Sequence, residues 1–258
     1  MRFADDVAIV TGAGRGIGRA TALGLAQEGV AVLVNDLDAD VAQEVVDEIV
    51  SAGGKAAASS GSVADQDYVR SMVAAAEEQL GPVTILINNA GIVDAAMTLN
   101  MTLEQWQRVI DVNLTSVFLC IQAVGPGFRK RFEENPEIRC AGRIVTVTSI
   151  AGVRGTMGQP NYGAAKAGVI GLGMSVAREW ARYRVVSNLV AFGAVETRMT
   201  EKIRTDERFR EKYLEEILLR RYATAEEVAR TIAFLASSDA DYITGHTLNV
   251  SGGLHIGF

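Results

Sequence analysis

Tyr162 and Lys166 stand at an i, i+4 spacing in a stretch of helical patterning, which puts both side chains on one helix face. Ser149 closes an apolar, β-branched run shortly before that helix. A phenol, an ammonium and a hydroxyl brought together can pass a proton to, or take one from, an oxygen on a reacting carbon. A phenol with an ordinary pKa of about 10 is poorly matched to neutral pH. A neighbouring ammonium and the positive ring of an oxidised nicotinamide would both favour the phenolate. Tyr162 is therefore expected as the proton donor and acceptor in a hydride transfer between a hydroxyl and a keto carbon. Lys166 is expected to tune it and to hydrogen-bond a cofactor ribose, and Ser149 to hold the substrate oxygen. Alone, a Tyr-x-x-x-Lys pair is also readable as a half-buried aromatic beside a solvated lysine.

Hydride transfer needs a dinucleotide, and the start of the chain offers a place for one. Thr11-Gly12-Ala13-Gly14-Arg15-Gly16-Ile17-Gly18 follows an apolar run and opens a helical pattern. Glycines let the backbone turn sharply and approach a pyrophosphate, and the helix N-terminus presents free N–H groups to it. The spacing is T-G-x-x-x-G-x-G, not G-x-G-x-x-G, and its position between a strand and a helix gives it weight. Gly12, Arg15, Gly16, Ile17 and Gly18 are the expected contacts. Asp36 ends the next strand. It can accept hydrogen bonds from the adenosine ribose and would repel a 2′-phosphate by about 1–4 kcal/mol at about 4 Å. That favours NAD over NADP. Arg15 is a counter-signal, because a basic side chain there could reach a 2′-phosphate. Asp38 and Asp40 could share the task of Asp36, and a plain strand-end turn would also explain Asp36.

The elements that must position these groups follow from hydrophobic period. Strands are predicted at Val7–Val10, Ala31–Asn35, Ala56–Ser60, Val83–Ile87, Arg143–Thr148, Val185–Ala191 and Thr247–Val250. Helices are predicted at Ile17–Glu28, Val41–Ala52, Asp67–Leu80, Thr102 to near Phe132, Asn161–Ala181 and Ala225–Ala236. Thr102 with Gln105, and Thr224 with Glu227, read as capping boxes. The alternation predicts an α/β fold: a Rossmann-like doubly wound parallel sheet in three α/β/α layers. One domain is expected over residues 1–258, with Glu133–Cys140 as a surface loop. The charged, amphipathic Thr200–Arg221 stretch reads as a lid helix within residues 193–221.

Composition narrows the class. Apolar residues are 48% and charged residues 22%, with net charge −6 and a pI near 5.1. That describes a globular chain with no electrostatic pull toward nucleic acid or an anionic membrane. Cys120 and Cys140 make neither a disulfide framework nor a metal motif, and a reducing, cytoplasmic setting suits them. No signal-peptide layout opens the chain, and no apolar run is expected to span a membrane. His246 and His255 are too isolated for a metal site, so none is expected. Ser149 lacks the G-x-S-x-G elbow of a hydrolase nucleophile. Trp106 and Trp180 read as packing or interface residues.

Taken together, these residues resemble the short-chain dehydrogenase/reductase family in its single-domain form. The glycine loop, Asn88-Asn89-Ala90-Gly91, the set Asn113, Ser149, Tyr162 and Lys166, and the Ile243–Gly253 segment match its motifs in order along nearly the whole chain. The resemblance implies that Asn113 shapes a helix bulge whose carbonyl holds a water in a proton relay to Lys166. It also implies that Asn89, Ala90 and Gly91 border the cofactor, that Ser62 and Val63 contact the adenine, and that Gly193, Val195 and Thr197 lie by the nicotinamide. Two positions depart from the pattern. Ser62 replaces the usual Asp, and Phe192-Gly193 replaces Pro-Gly, restoring a backbone N–H and placing an aromatic ring near the substrate. Core packing is the other reading of Phe192. The family also implies a homo-oligomer, often a tetramer.

Ligands of parallel sheets bind beyond the carboxyl ends of the strands. Ile92, Val93, Ile150, Val153, Met157, Val195 and Met199 would line an apolar pocket there, with Ser149 and Phe192 at the reacting end. An alcohol or ketone with a fairly apolar body is the expected substrate, with NAD as cofactor. Arg154 could take an anionic substrate group or simply be solvated. Gly158-Gln159-Pro160-Asn161-Tyr162 is similar to the local sequence of 3-oxoacyl thioester reductases in this family, which makes a thioester reductase using NADPH the alternative. Arg129-Lys130-Arg131 would then be a docking patch for an acidic carrier, or else cations complementing a helix C-terminus. A dinucleotide-binding structural or regulatory protein with weak chemistry is the reading from another class. An epimerase or dehydratase relative would need a longer chain.

Overall fold

Val7-Ala8-Ile9-Val10 is apolar on both sides, and a strand of that kind needs cover on both faces. In the computed structural model, which describes Arg2, Phe3 and residues 5–257, it forms β1 (Val7–Val10), and all four residues are buried. The chain then runs α1 (Gly16–Gln27), β2 (Ala31–Asp36), α2 (Ala39–Ser51), β3 (Ala56–Ser60), α3 (Gln66–Leu80) and β4 (Ile85–Asn88). It continues through α4 (Leu103–Ile110), α5 (Ser116–Glu134), β5 (Gly142–Ser149), α6 (Ala151–Arg154), α7 (Pro160–Trp180) and β6 (Val185–Phe192). It ends with α8 (Glu201–Thr205), α9 (Glu207–Glu216), α10 (Ala225–Leu235) and β7 (Thr247–Val250). Met1 and Phe258, the limits of the expected domain, lie outside the described residues together with Ala4.

The seven strands form one sheet in the order β3-β2-β1-β4-β5-β6-β7, every neighbouring pair parallel. One face packs on α1, α2 and α10 through Leu25, Val45 and Ile232; the other packs on α3, α5 and α7 through Met72, Phe128 and Val169. The expected doubly wound, three-layer fold is therefore present. All strands end along one edge, and the order reverses between β1 and β4, which opens the crevice of such sheets at that point. The register sets Val10 beside Ile87, Ser149 beside Phe192, and Phe192 beside Val250. The glycine loop, the N-N-A-G run and Ser149 thus leave the sheet on the same side.

The structure corrects several boundaries. The long helix predicted from Thr102 is interrupted. A capping box between Thr102 and Gln105 starts α4, then a π turn at Asp111–Thr115 leads into α5, which takes in Glu133 and Glu134 from the expected loop. The π turn carries Asn113, where the resemblance implies a bulge, and such turns often mark functional positions. Leu103–Glu134 is also long and apolar enough to cross a membrane by length and composition, contrary to expectation. Here its apolar stripe of Val117, Cys120, Ile121, Val124 and Phe128 packs on the sheet. α6 has no counterpart among the predicted elements, and the lid stretch divides into α8 and α9.

Candidate active site

The glycine loop leaves bare backbone where side chains cannot fit. Gly12 sits at φ +61, and a Cβ there would lie 2.9 Å from the Ala90 Cα. A Cβ at Gly18 would lie 2.2 Å from the Gly12 carbonyl oxygen and 2.5 Å from Asn89 Nδ2. No side chain caps α1, and its first turn has no acid. Its open N–H groups and positive end are therefore free to meet a phosphate. Thr197 closes over this loop, its Cγ2 3.5 Å from where a Gly16 Cβ would be. These features fit a dinucleotide.

Asp36 stands at the loop's flank. Its Oδ2 accepts from Gly14 N at 3.0 Å and its Oδ1 from Asp38 N at 3.3 Å. Arg15, the counter-signal for a 2′-phosphate, donates to Asp38 Oδ2 at 3.1 Å. The Arg15 guanidinium holds the Asp38 carboxyl below its usual range. At the end where the resemblance implies the adenine, Val63 is buried and Ser62 Oγ accepts from Ala64 N at 3.2 Å. Asn35 and Tyr68 were not foreseen there. Asn35 accepts from Gly12 N at 3.4 Å and donates to Ser59 O, Gly61 O and Tyr68 Oη, tying the glycine loop to the end of β3.

The N-N-A-G run couples this half to the chemistry. Asn89 Nδ2 donates to Thr11 O at 2.9 Å and Gly12 O at 3.0 Å, while Thr11 Oγ1 accepts from the Asn89 and Ala90 amides. A Cβ on Gly91 would come within 3.0 Å of Asn113 Oδ1 and 3.7 Å of Lys166 Nζ. Asn113 is fully buried and spends its amide on one residue: Oδ1 accepts from Ile92 N and Nδ2 donates to Ile92 O, both at 2.8 Å.

β5 and α7 bring Ser149, Tyr162 and Lys166 together. Lys166 is buried, its Nζ donates to Val147 O at 2.8 Å, and it lies 5.7 Å from the centroid of the Tyr162 ring. Thr148 Oγ1 donates to Lys166 O at 2.6 Å and ties α7 to β5. Burial pushes Tyr162 up to about 12, against a hydrogen bond from Ser149 that lowers it, and nearby Tyr213 adds to the rise. Burial also pushes Lys166 down to about 8. For both groups burial is the leading cause of the shift, and it favours the neutral form of each.

The expected substrate wall is only partly assembled. Val153 is half-buried, while Met157 is 86% and Met199 49% exposed. Phe192 is 4% exposed and packs in the core cluster that holds Val190 and Val195, so the substrate-facing reading is corrected to core packing. β6 simply extends through it, and the alternation turns its ring under the sheet. Gly193 follows where a Cβ would meet Ser251 Cα at 2.8 Å. Arg154 is not free, since it donates to Glu216 Oε2 at 3.0 Å and to Leu254 O at 3.4 Å. Arg129 and Lys130 pair along their own helix with Glu133 and Glu134, and Arg131 donates to Ala141 O. Asn161, fully buried beside Tyr162, was overlooked in the sequence.

Known proteins are similar to this chain over nearly its whole length. A family model described as enoyl-(acyl carrier protein) reductase matches residues 12–255. A 3-oxoacyl-[acyl-carrier-protein] reductase of Synechocystis is 46% identical over 251 residues, covering 96% of each chain. The protein of that name from Staphylococcus epidermidis is 42% identical over 250 residues, 96% of this chain and 98% of its own. That of Thermotoga maritima is 40% identical over 256 residues, 99% and 100%. Similarity of this degree runs end to end and spans every segment that builds the crevice, and it places the chain in the short-chain dehydrogenase/reductase family of oxidoreductases.

Proposed function

We propose that the protein reduces a 3-oxoacyl thioester to the 3-hydroxyacyl thioester, with hydride from NADH and a proton from Tyr162. The observation that carries the thioester reading is the end-to-end identity of 40–46% to proteins named for that reaction. It overtakes the generic alcohol dehydrogenase favoured by the residues alone. Preference for NADH is supported by Asp36 on the glycine loop and by the engagement of Arg15 with Asp38. A 2′-phosphate would have to displace that ion pair and approach the Asp36 carboxylate.

Ser149 and Tyr162 would bind the C3 oxygen. When bound, a reduced nicotinamide would supply the hydride that C3 gains, and Tyr162 would give its proton to the oxygen as charge develops there. Lys166 stabilises the phenolate left behind and would hold the ribose, while Asn113 fixes the loop that starts at Ile92. Gly12, Gly16, Ile17, Gly18, Ala90, Gly91, Gly193, Val195 and Thr197 would border the cofactor, with Val153, Met157 and Met199 toward the acyl group. α9 would act as the lid. Its Tyr213 and Leu214, with Ile217 just beyond it, pack in the cluster of Ile150 and Leu254, latched by Arg154 and Glu216. Exposed Leu103, Trp106, Phe118 and Met174 on α4, α5 and α7 support packing against a second copy.

The test is NADH and NADPH oxidation at 340 nm with acetoacetyl-CoA, crotonyl-CoA and a secondary-alcohol panel run in reverse. Turnover of acetoacetyl-CoA, faster with NADH, is expected. Turnover of secondary alcohols alone would refute the thioester reading, and a tenfold preference for NADPH would refute the cofactor reading. Saturable NADH binding without any turnover would favour a binding protein.

A further inference from the structure

Residues 92–101, which follow β4, have no regular structure, and they are the segment expected to wall the substrate side. Two fully buried asparagines grip this segment. Asn113 holds Ile92 by both backbone groups. Two residues further on, Asn161 Nδ2 donates to Asp94 O at 3.0 Å and to Gln105 O of α4 at 3.1 Å. Its Oδ1 accepts from Tyr162 N at 2.8 Å. Both amide hydrogens and the carbonyl oxygen are thus engaged, and one side chain binds the first turn of α7, the loop and α4 to one another. Gln159, the residue before α7, makes no side-chain cap bond, so this first turn is held from within by Asn161. The Asp94 carboxylate adds bonds from Gln105 Nε2, at 3.0 Å, and from Arg108, and Ala96 N donates to Gly158 O at 2.9 Å.

We infer that Asn161 is a positioning residue that sets the Tyr162 phenol and the Ile92–Met101 wall as one unit, so that substrate-side geometry depends on it and cofactor binding does not. Its three bonds go to Asp94 O, Gln105 O and Tyr162 N, and none reaches the glycine loop, Asp36 or Asn89. For catalysis the inference rests on the thioester reading above. The grip on the loop does not depend on it.

Asn161→Ala removes all three bonds. Asn161→Asp keeps the acceptor for Tyr162 N and turns an oxygen toward two carbonyls. Asn161→Ser retains one donor. Each full-length variant is compared with wild type for NADH affinity by fluorescence, for kcat, KM and the pH profile of kcat with acetoacetyl-CoA, and for amide exchange. Expected for Asn161→Ala are an NADH Kd within twofold, kcat lower by tenfold or more, and a basic limb displaced on the pH axis. Amides of residues 92–101 should exchange at least tenfold faster, and those of residues 12–18 unchanged. Asn161→Ser should recover part of each loss. Wild-type kinetics and exchange in a folded Asn161→Ala would overturn the inference, as would an NADH affinity that falls in step with kcat. If wild type leaves acetoacetyl-CoA untouched, the thioester reading fails, and the exchange contrast between the loop and residues 12–18 still decides the role of Asn161.

Discussion

Replacing Lys166 with Met should make the unliganded protein more stable at neutral pH while destroying its activity. Burial lowers the Lys166 ammonium from its ordinary 10.5 to about 8. That fall corresponds to about 3 kcal/mol against the charged form below pH 8. Methionine keeps the apolar stem but forfeits the hydrogen bond to Val147 O, at about 1 kcal/mol. A net gain of about 2 kcal/mol at pH 7 remains, and at about 2–4 °C per kcal/mol for a chain near this size the midpoint should rise about 4–8 °C. The sign follows from proton counts. Between pH 8 and 10.5 the unfolded chain keeps the proton that folded Lys166 has released, so wild-type stability rises with pH at up to about 1.4 kcal/mol per unit. The variant lacks this rise, and its advantage should vanish near pH 10. Urea unfolding of both proteins at pH 7, 8, 9 and 10 measures the crossing. Parallel stability profiles, or a variant less stable at pH 7, would refute the reasoning that burial, not the Val147 contact, dominates the energetics of this lysine.

Other perturbations test the remaining parts of the site. Tyr162→Phe removes the proton donor and should lower kcat by about 10²–10⁴-fold, with NADH affinity by fluorescence within twofold. Asp36→Ala combined with Leu37→Arg should raise kcat/KM for NADPH at least about fivefold, from the lower end of the repulsion it removes, and lower that for NADH; steady-state kinetics with both cofactors decide it. Arg154→Ala breaks the link among α6, α9 and Leu254. As a partly exposed ion pair it should cost less than about 1 kcal/mol of stability in urea, yet it should raise the thioester KM through a looser lid.

Much of the scaffold was legible because it depends on local signals. Seven apolar runs gave seven strands, and Thr102 and Thr224 formed the capping boxes their spacing indicates. Gly12, Gly18, Ser149, Tyr162 and Lys166 were legible for a related reason. Each carries a side chain, or the lack of one, that its task demands. The interruption of the Thr102 helix was not legible from period, since a π turn inserts a residue without breaking the apolar stripe. Phe192 misled because its chemical type and its place at a strand end say nothing about which face of the sheet its ring occupies. The burial around Tyr162 and Lys166 was not legible either. A sequence can set an ammonium near a phenol, but not how deeply the fold buries Lys166, and burial is the leading cause of the shifts of both groups.

Asn161 shows where such reading stops for a physical reason. Its partners are carbonyls 56 and 67 positions away, and the Ile92 groups held by Asn113 lie 21 away. Every residue has a carbonyl, so a side chain that recognises backbone leaves no complementary residue type elsewhere in the chain to reveal the pairing. The only local trace is energetic. An amide in the first turn of a helix, next to an acid–base group, is a poor choice unless distant backbone satisfies it, because a buried amide left unpaired costs about 1–3 kcal/mol. A polar residue of low helix propensity flanking a catalytic side chain therefore marks a place where the tertiary structure supplies partners. In this fold those partners fix the Ile92–Met101 loop against α4 and α7.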